Sequence, residues 1–304
     1  MPEEEKAGAV EEKPAAEEIE EEDYVEPAPP VRPAVDEWCF HNSMMIGRMD
    51  ILRMLEMAAE IGAEGVGFDY FMLSKELRRD PAPLKEIIRE NGLEVAFGFG
   101  APFALPDIVH NILENRKDEM FELAHEFDSS VIRVCGGVMI PNMFHKSIHV
   151  VINRDREIDE VSKRLKEFTE DASLEGLTVA LENHSDYRVD EMIQIIDCVG
   201  HDHFKVTLDT GNAVYLGEDP VETARRLAPF TAYTHIKDAA RNGPFIFGTP
   251  LGEGEVDLPA IIQILQDYSY EGLYAIEVDL PVWKVDREEE SLRASMDYLR
   301  TLGE

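Results

Sequence analysis

Residues 204–240 read FKVTLDTGNAVYLGEDPVETARRLAPFTAYTHIKDAA. Two short apolar runs, 204–208 and 231–236, flank a stretch at 220–227 whose opening proline and spacing predict a helix. Asp209 follows the first run and His235 lies within the second. Strand, crossover helix and strand make a parallel βαβ unit, with a hard ligand near the carboxyl end of each strand. The pattern extends outward. Residues 178–181 run into Glu182, and 273–276 run into Glu277. Successive ligands lie 27, 26 and 42 residues apart. The first two intervals suit a βα repeat of roughly 30 residues, and the third leaves room for a long loop.

Towards the N-terminus the same alternation continues. Strands are predicted at 38–41, 66–68, 93–97 and 131–135, with helices at 49–61, 84–89, 106–127 and 158–174. Residues 138–150 read as a loop. Helices are expected at 189–198, 256–267 and 286–302, and a glycine-rich loop at 239–254. Eight short apolar strands, each followed by an amphipathic helix, mean parallel α/β. In about 270 residues they predict a (β/α)₈ TIM barrel, residues 36–304, rather than an open doubly wound sheet. No G-x-G-x-x-G or G-x-x-x-x-G-K-[ST] signature supports nucleotide binding.

Residues 1–35 form a different segment, rich in Glu, Ala and Pro. Such a composition cannot bury enough apolar surface to offset chain entropy, so a disordered acidic tail is expected. The whole chain of 304 residues carries 63 Asp+Glu against 29 Lys+Arg, a formal charge of −34. That surface repels nucleic acid and anionic membrane, so neither is expected as a partner. No apolar run approaches the roughly 20 residues needed to cross a bilayer, and the start MPEEEK shows no secretory leader. A cytoplasmic location is expected. Cys39, Cys135 and Cys198 are too few and too scattered for a disulfide framework or a C-x-x-C pair, and read as core residues. A homo-oligomer is allowed but not indicated.

In a barrel of this kind all strand ends that follow the chain direction share one face, and that face carries the site. Glu182, Asp209, His235 and Glu277 are then neighbours on strands five to eight. Taken singly, each acidic residue could be a helix cap and the histidine a core group. Together they form an oxygen-rich set, and three converging carboxylates call for a cation. One imidazole among three carboxylates suits Mn²⁺, with Mg²⁺, Co²⁺ or Zn²⁺ as alternatives.

Five segments carry a resemblance: LENH (181–184), LDTGN (208–212), HIKD (235–238), LGEGEVD (251–257) and IEVD (276–279). In this order they resemble the sugar phosphate isomerase/epimerase family of the xylose isomerase-like barrel superfamily, which also contains endonuclease IV. The resemblance implies Glu182, Asp209, His235 and Glu277 as ligands of one divalent metal, with Glu182 and Glu277 also exchanging protons with a keto-sugar. A metal that chelates a ketone and its neighbouring hydroxyl acidifies the α C–H and stabilises the resulting enediolate. Asn212 stands where many members carry histidine. It can hydrogen-bond a hydroxyl but cannot titrate.

The remaining candidates follow from position. His184 lies two residues past Glu182 and shares its face if the strand persists, so it is a candidate acid. His41 and Asn42 are expected at the end of strand one. Arg241, opening the long loop, and Trp283, after strand eight, are candidates to hold and wall a sugar, beside His41 and Asn212. Lys237 is expected to turn away from His235 and pair with a carboxylate. The expected function is a metal-dependent isomerase or epimerase of a small polyhydroxylated carbonyl compound. A dehydratase of inosose or dehydroshikimate type is the alternative, and a non-catalytic sugar-binding barrel the rival from another class.

Overall fold

The computed structural model describes residues 28–104, 111, 114–137 and 153–303. Its wall is built from β1 (Arg32–Asp36), β2 (Gly65–Asp69), β3 (Glu94–Pro102), β4 (Val131–Cys135), β5 (Thr178–Glu182), β6 (Phe204–Asp209), β7 (Thr231–Ile236) and β10 (Leu273–Ile276). All eight pair in parallel and close into a barrel, with Val35 opposite Ile276 at the seam. Between β7 and β10, the chain adds an antiparallel hairpin, β8 (Asp238–Asn242) and β9 (Phe245–Thr249).

Side chains alternate across each strand, and here the alternation separates packing from chemistry. Val35, Phe68, Phe97, Val134, Leu181, Leu208 and Ile276 face outward and join one large core with the surrounding helices. The other parity faces the barrel axis. It begins with a small apolar layer, Ala34, Ala96, Tyr233, Leu273 and Ala275. Above it come Asp36, Arg133, Glu182, Asp209, His235 and Glu277, all buried.

The helices follow the sequence closely. Pro220–Leu227 opens with Asp219 accepting from the amides of Val221 and Glu222. Asp50, Asn153 and Asp257 cap their helices in the same way, which satisfies amides that no helical carbonyl can reach. The helix Val189–Val199 ends at Gly200 in the left-handed region that favours glycine. No described helix is long and apolar enough to cross a membrane.

Four expectations need correction. Residues 38–41 are not strand one. Asp36 accepts from the Trp38 amide, and Glu37–Phe40 is a 3₁₀ turn leading into the short helix His41–Met45. The real first strand lies earlier, at Arg32–Asp36, so residues 32–35 belong to the barrel rather than to a tail. Pro33 sits second in that strand, near the end where a missing N–H is tolerated. The expected loop at 239–254 contains the β8–β9 hairpin. Cys198 is exposed and Cys135 half-buried, while Cys39 alone of the three is a core residue. The expected helix at 106–127 is seen as Lys117–Glu126. Its first part, the loop at 138–150 and residues 1–27 include positions outside the described residues.

Candidate metal centre

The carboxyl ends of β5, β6, β7 and β10 bring Glu182, Asp209, His235 and Glu277 together. One ligand atom from each lies within 4.8 Å of all the others, and all four residues are buried. His235 Nδ1 is 2.9 Å from Glu277 Oε2 and 3.5 Å from Glu182 Oε2. Asp209 Oδ1 accepts from the amides of Gly211 and Asn212, at 2.7 and 2.9 Å. Asp209 Oδ2 and His235 Nδ1 are buried without a hydrogen-bond partner. Two unpaired donor atoms aimed into a knot of carboxylates fit a divalent cation.

Neighbouring side chains hold these ligands in place. Asn183 accepts from the Asp209 amide at 2.7 Å and donates to the Asp209 carbonyl at 2.9 Å, locking the ends of β5 and β6 together. Asn212 donates to Glu182 Oε1 at 3.2 Å, so its polar group is spent on a ligand rather than aimed at the open cavity. Lys237 Nζ donates to Glu277 Oε1 at 2.5 Å and lies 3.9 Å from Asp209 Oδ2. Lys237 thus pairs with a carboxylate as expected, but inside the site. Residues two apart share a face, and Lys237 follows His235 by two.

The electrostatics match the crowding. Burial, with Glu277 and Glu182 alongside, pushes Asp209 up to about 8, even though Lys237 opposes the shift. Burial would also raise Glu277, but the Lys237 ammonium and His235 hold it well below the usual carboxylate range. Burial works against a charged His235, yet Glu182, Asp36 and Glu277 raise it far above its ordinary value. Such a site needs positive charge to keep all its carboxylates ionised.

A cavity of about 290 Å³ opens above the cluster, lined among others by Glu182, His235, Glu277, His184, Trp38 and Arg133. His184 lines it, and its Nδ1 is buried and unpartnered. The other substrate candidates lie elsewhere. His41, on its helix, stacks on Trp38 and reaches Asp279 at 3.5 Å. Arg241 and Trp283 line a separate cavity of about 200 Å³ beside the hairpin. Arg241 is held there by Glu255 at 3.1 Å, and Trp283 is 69% exposed. A cleft of about 750 Å³ at the other end of the barrel, by the Lys85–Glu126 ion pair, contains none of the ligand cluster.

Among the groups lining the central cavity that sequence reading missed are Asp36, Asp69 and Arg133. Arg133 bridges the other two, at 2.7 Å to Asp36 and 3.0 Å to Asp69. Burial, reinforced by Asp36 and Glu182, moves Asp69 up to about 6 against the pull of Arg133. The available signal was an arginine in the middle of the apolar run VIRVC (131–135), where only an inward, paired charge is tolerable.

One side chain organises the rim. Asp238 Oδ1 accepts from the amides of Ala239 and Val256, at 2.9 and 3.1 Å. Its Oδ2 accepts from Gly252 and Gly254, at 3.0 and 2.8 Å. A Cβ at Gly254 would fall 2.0 Å from Asp238 Oδ1, so the LGEGEVD segment wraps the carboxylate with bare backbone.

Comparison with known proteins agrees with this architecture. The family model described as xylose isomerase-like TIM barrel matches residues 55–302, and the chain belongs to that family. An inosose dehydratase from Bacillus thuringiensis (strain Al Hakam) is 21% identical over 281 residues, covering 78% of this chain and 90% of the relative. The structure of D-psicose 3-epimerase with D-tagatose from Clostridium cellulolyticum H10 superposes with a TM-score of 0.71 at 15% identity, covering 90% of this chain and 100% of that one. The structure of the IOLI protein with a zinc atom gives 0.73 at 15% identity, covering 90% and 99%. At these identities the two structures show the shared barrel.

Proposed function

We propose that this member of the xylose isomerase-like TIM barrel family is a metal-dependent enzyme that removes the proton α to the carbonyl of a small keto-sugar or related polyol. The observation that carries this reading is the convergence of Glu182, Asp209, His235 and Glu277 within 4.8 Å, directly beneath a cavity of sugar-like size. A bound divalent ion, Mn²⁺ by the donor set, would supply Lewis-acid polarisation of the substrate carbonyl. The zinc atom of the IOLI protein fits the same reading.

Glu182 and Glu277 come from strands separated by β6 and β7, so they approach the centre from different sides. Burial opposes their charge, but His235 beside Glu182, and Lys237 with His235 beside Glu277, hold both below the usual carboxylate range. Both are thus ionised at neutral pH, the state a proton acceptor must have. Removal by one and return by the other to the opposite face of the same carbon is epimerisation. Return to the neighbouring carbon is isomerisation.

A second reading is elimination of a β-hydroxyl after the same proton removal. His184 favours it, because its imidazole lines the cavity, where such a group could protonate a leaving hydroxyl. The inosose dehydratase relative points the same way. Proton NMR of the Mn²⁺-loaded protein with ketoses and inososes in D₂O separates the readings. Deuterium at the α carbon without loss of water supports epimerisation or isomerisation. Loss of water with a new enone signal supports the lyase. No exchange across the panel, with metal bound, contradicts both.

A further inference from the structure

We infer that Asp36 is a positioning residue for the metal centre: it selects the tautomer of His235 that leaves Nδ1 free as a ligand, while Arg133 holds Asp36 in place. The inference rests on the metal reading above. It concerns a chamber beneath the ligands, built where β2 and β3 give up their inward side chains. A Cβ at Gly67 would lie 2.5 Å from Asp36 Oδ2 and 2.6 Å from the Tyr233 hydroxyl. One at Gly98 would lie 1.7 Å from Asp69 Oδ1 and 3.0 Å from Arg133 Nη2. Any larger residue at either position would evict the charges.

Within this chamber Asp36 is fixed on both oxygens. Oδ1 accepts from the Trp38 amide at 3.0 Å, and Oδ2 accepts from Arg133 Nη1 at 2.7 Å. Arg133 is anchored in turn by Asp69 and lies over the Tyr233 ring at 5.5 Å. His235 Nε2 therefore meets two neighbours with opposite demands. Arg133 Nη1 is 2.6 Å away and can only donate, so it favours an Nε2 without a proton. Asp36 Oδ2 is 3.3 Å away and can only accept, so it favours an Nε2 that carries one.

The two ring nitrogens of a neutral imidazole are complementary. If Nε2 is bare, Nδ1 carries the proton and turns it to Glu277 Oε2, 2.9 Å away, which blocks ligation. If Nε2 donates to Asp36, Nδ1 presents its lone pair to Glu182, Glu277 and the ion between them. Asp36 is the group on the Nε2 side that stabilises the second tautomer, and a carboxylate in this role tightens the metal. Arg133 opposes that tautomer at Nε2 itself, but it also fixes the Asp36 carboxylate and balances its buried charge.

The tautomer is read directly by long-range ¹H–¹⁵N NMR of histidine-labelled protein, with His235 assigned by its loss in His235→Gln. The zinc-loaded wild type is expected to show protonated Nε2 and metal-shifted Nδ1. In parallel, Zn²⁺ and Mn²⁺ affinities are measured by competition with a chelating dye for wild type, Asp36→Asn and Asp36→Ala, each checked by circular dichroism and melting. Asp36→Ala should weaken binding about 10–100-fold. Asp36→Asn, whose amide oxygen can still accept, should fall between. A folded Asp36→Ala protein with wild-type affinity overturns the inference, as does a zinc-loaded wild type with the ion on Nε2. Should Asp36→Ala not fold, Asp36→Asn and the wild-type spectrum decide. A wild type that binds neither ion overturns the metal reading itself, a result distinct from the other two.

Discussion

Replacing Asp238 removes one carboxylate that four backbone amides share. The four are not equivalent. Ala239 and Val256 are buried, so water cannot reach their amides once the acceptor is gone. Gly252 is exposed and Gly254 half-exposed, so water can replace the lost oxygen there. In Asp238→Asn the amide oxygen will turn to the buried pair, and the NH₂ will face Gly252 and Gly254. Two charge-assisted bonds are exchanged for solvent contacts, at about 1 kcal/mol each, or about 2 kcal/mol together. Asp238→Ala adds two buried unpaired donors at about 1–3 kcal/mol each, for a total of about 4–8 kcal/mol. Urea denaturation followed by circular dichroism measures both, with EDTA present so that metal binding does not mask the loss. The midpoint should fall in the order wild type, Asn, Ala, with the m-value unchanged. An alanine variant within 1 kcal/mol of wild type, or an asparagine variant as weak as alanine, would refute the claim that this carboxylate organises the rim.

Other consequences follow from particular residues. Deleting residues 1–35 removes most of β1 and should abolish cooperative unfolding, whereas deletion of 1–27 spares it and should leave the melting temperature nearly unchanged; differential scanning calorimetry of both truncations tests this. Burial pushes Asp186 up to about 6 from the ordinary 3.8, so the folded protein holds that proton more tightly than the unfolded chain. Its contribution, about 3 kcal/mol, is complete below pH 3.8 and lost as pH rises through about 6. Asp186→Asn should therefore gain stability relative to wild type between pH 4 and 7 in urea titrations, and a constant difference would refute the shift. Lys237→Met leaves Glu277 and Asp209 without their buried cation, and should cost about 3–5 kcal/mol in EDTA. Saturating Mn²⁺ should restore part of that loss in thermal melts, and an equal loss with and without the ion would contradict the shared electrostatics.

Much of the barrel was legible because its strands are short, apolar and regularly spaced. The runs at 131–135, 231–236 and 273–276 match β4, β7 and β10 in both bounds. The clustering of Glu182, Asp209, His235 and Glu277 was legible for the same reason, since each ends or nearly ends such a run. The first strand was hidden by Pro33, which made its segment look like tail, while the apolar Trp38-Cys39-Phe40 run imitated a strand. Arg241 and Trp283 were nominated by chain position after strand ends, but they line a separate cavity beside the β8–β9 hairpin. Asp36 and Asp69 stand at strand ends like the chosen ligands. They were overlooked because their partner, Arg133, lies about 60 to 100 residues away in the chain, at 64 from Asp69 and 97 from Asp36. Pairing across a barrel leaves no local trace, whereas a repeat of strand and ligand does.

The metal content of the protein tests the central claim most directly. Protein purified without chelator is analysed by plasma mass spectrometry, then stripped and titrated with Mn²⁺ by calorimetry, beside Glu277→Gln and Asp209→Asn. The four-residue centre predicts about one divalent ion per chain in the wild type. It also predicts a single binding event, weakened at least tenfold in each variant while the circular dichroism spectrum is retained. A wild type that takes up no ion, or folded variants that bind as tightly as the wild type, would contradict it.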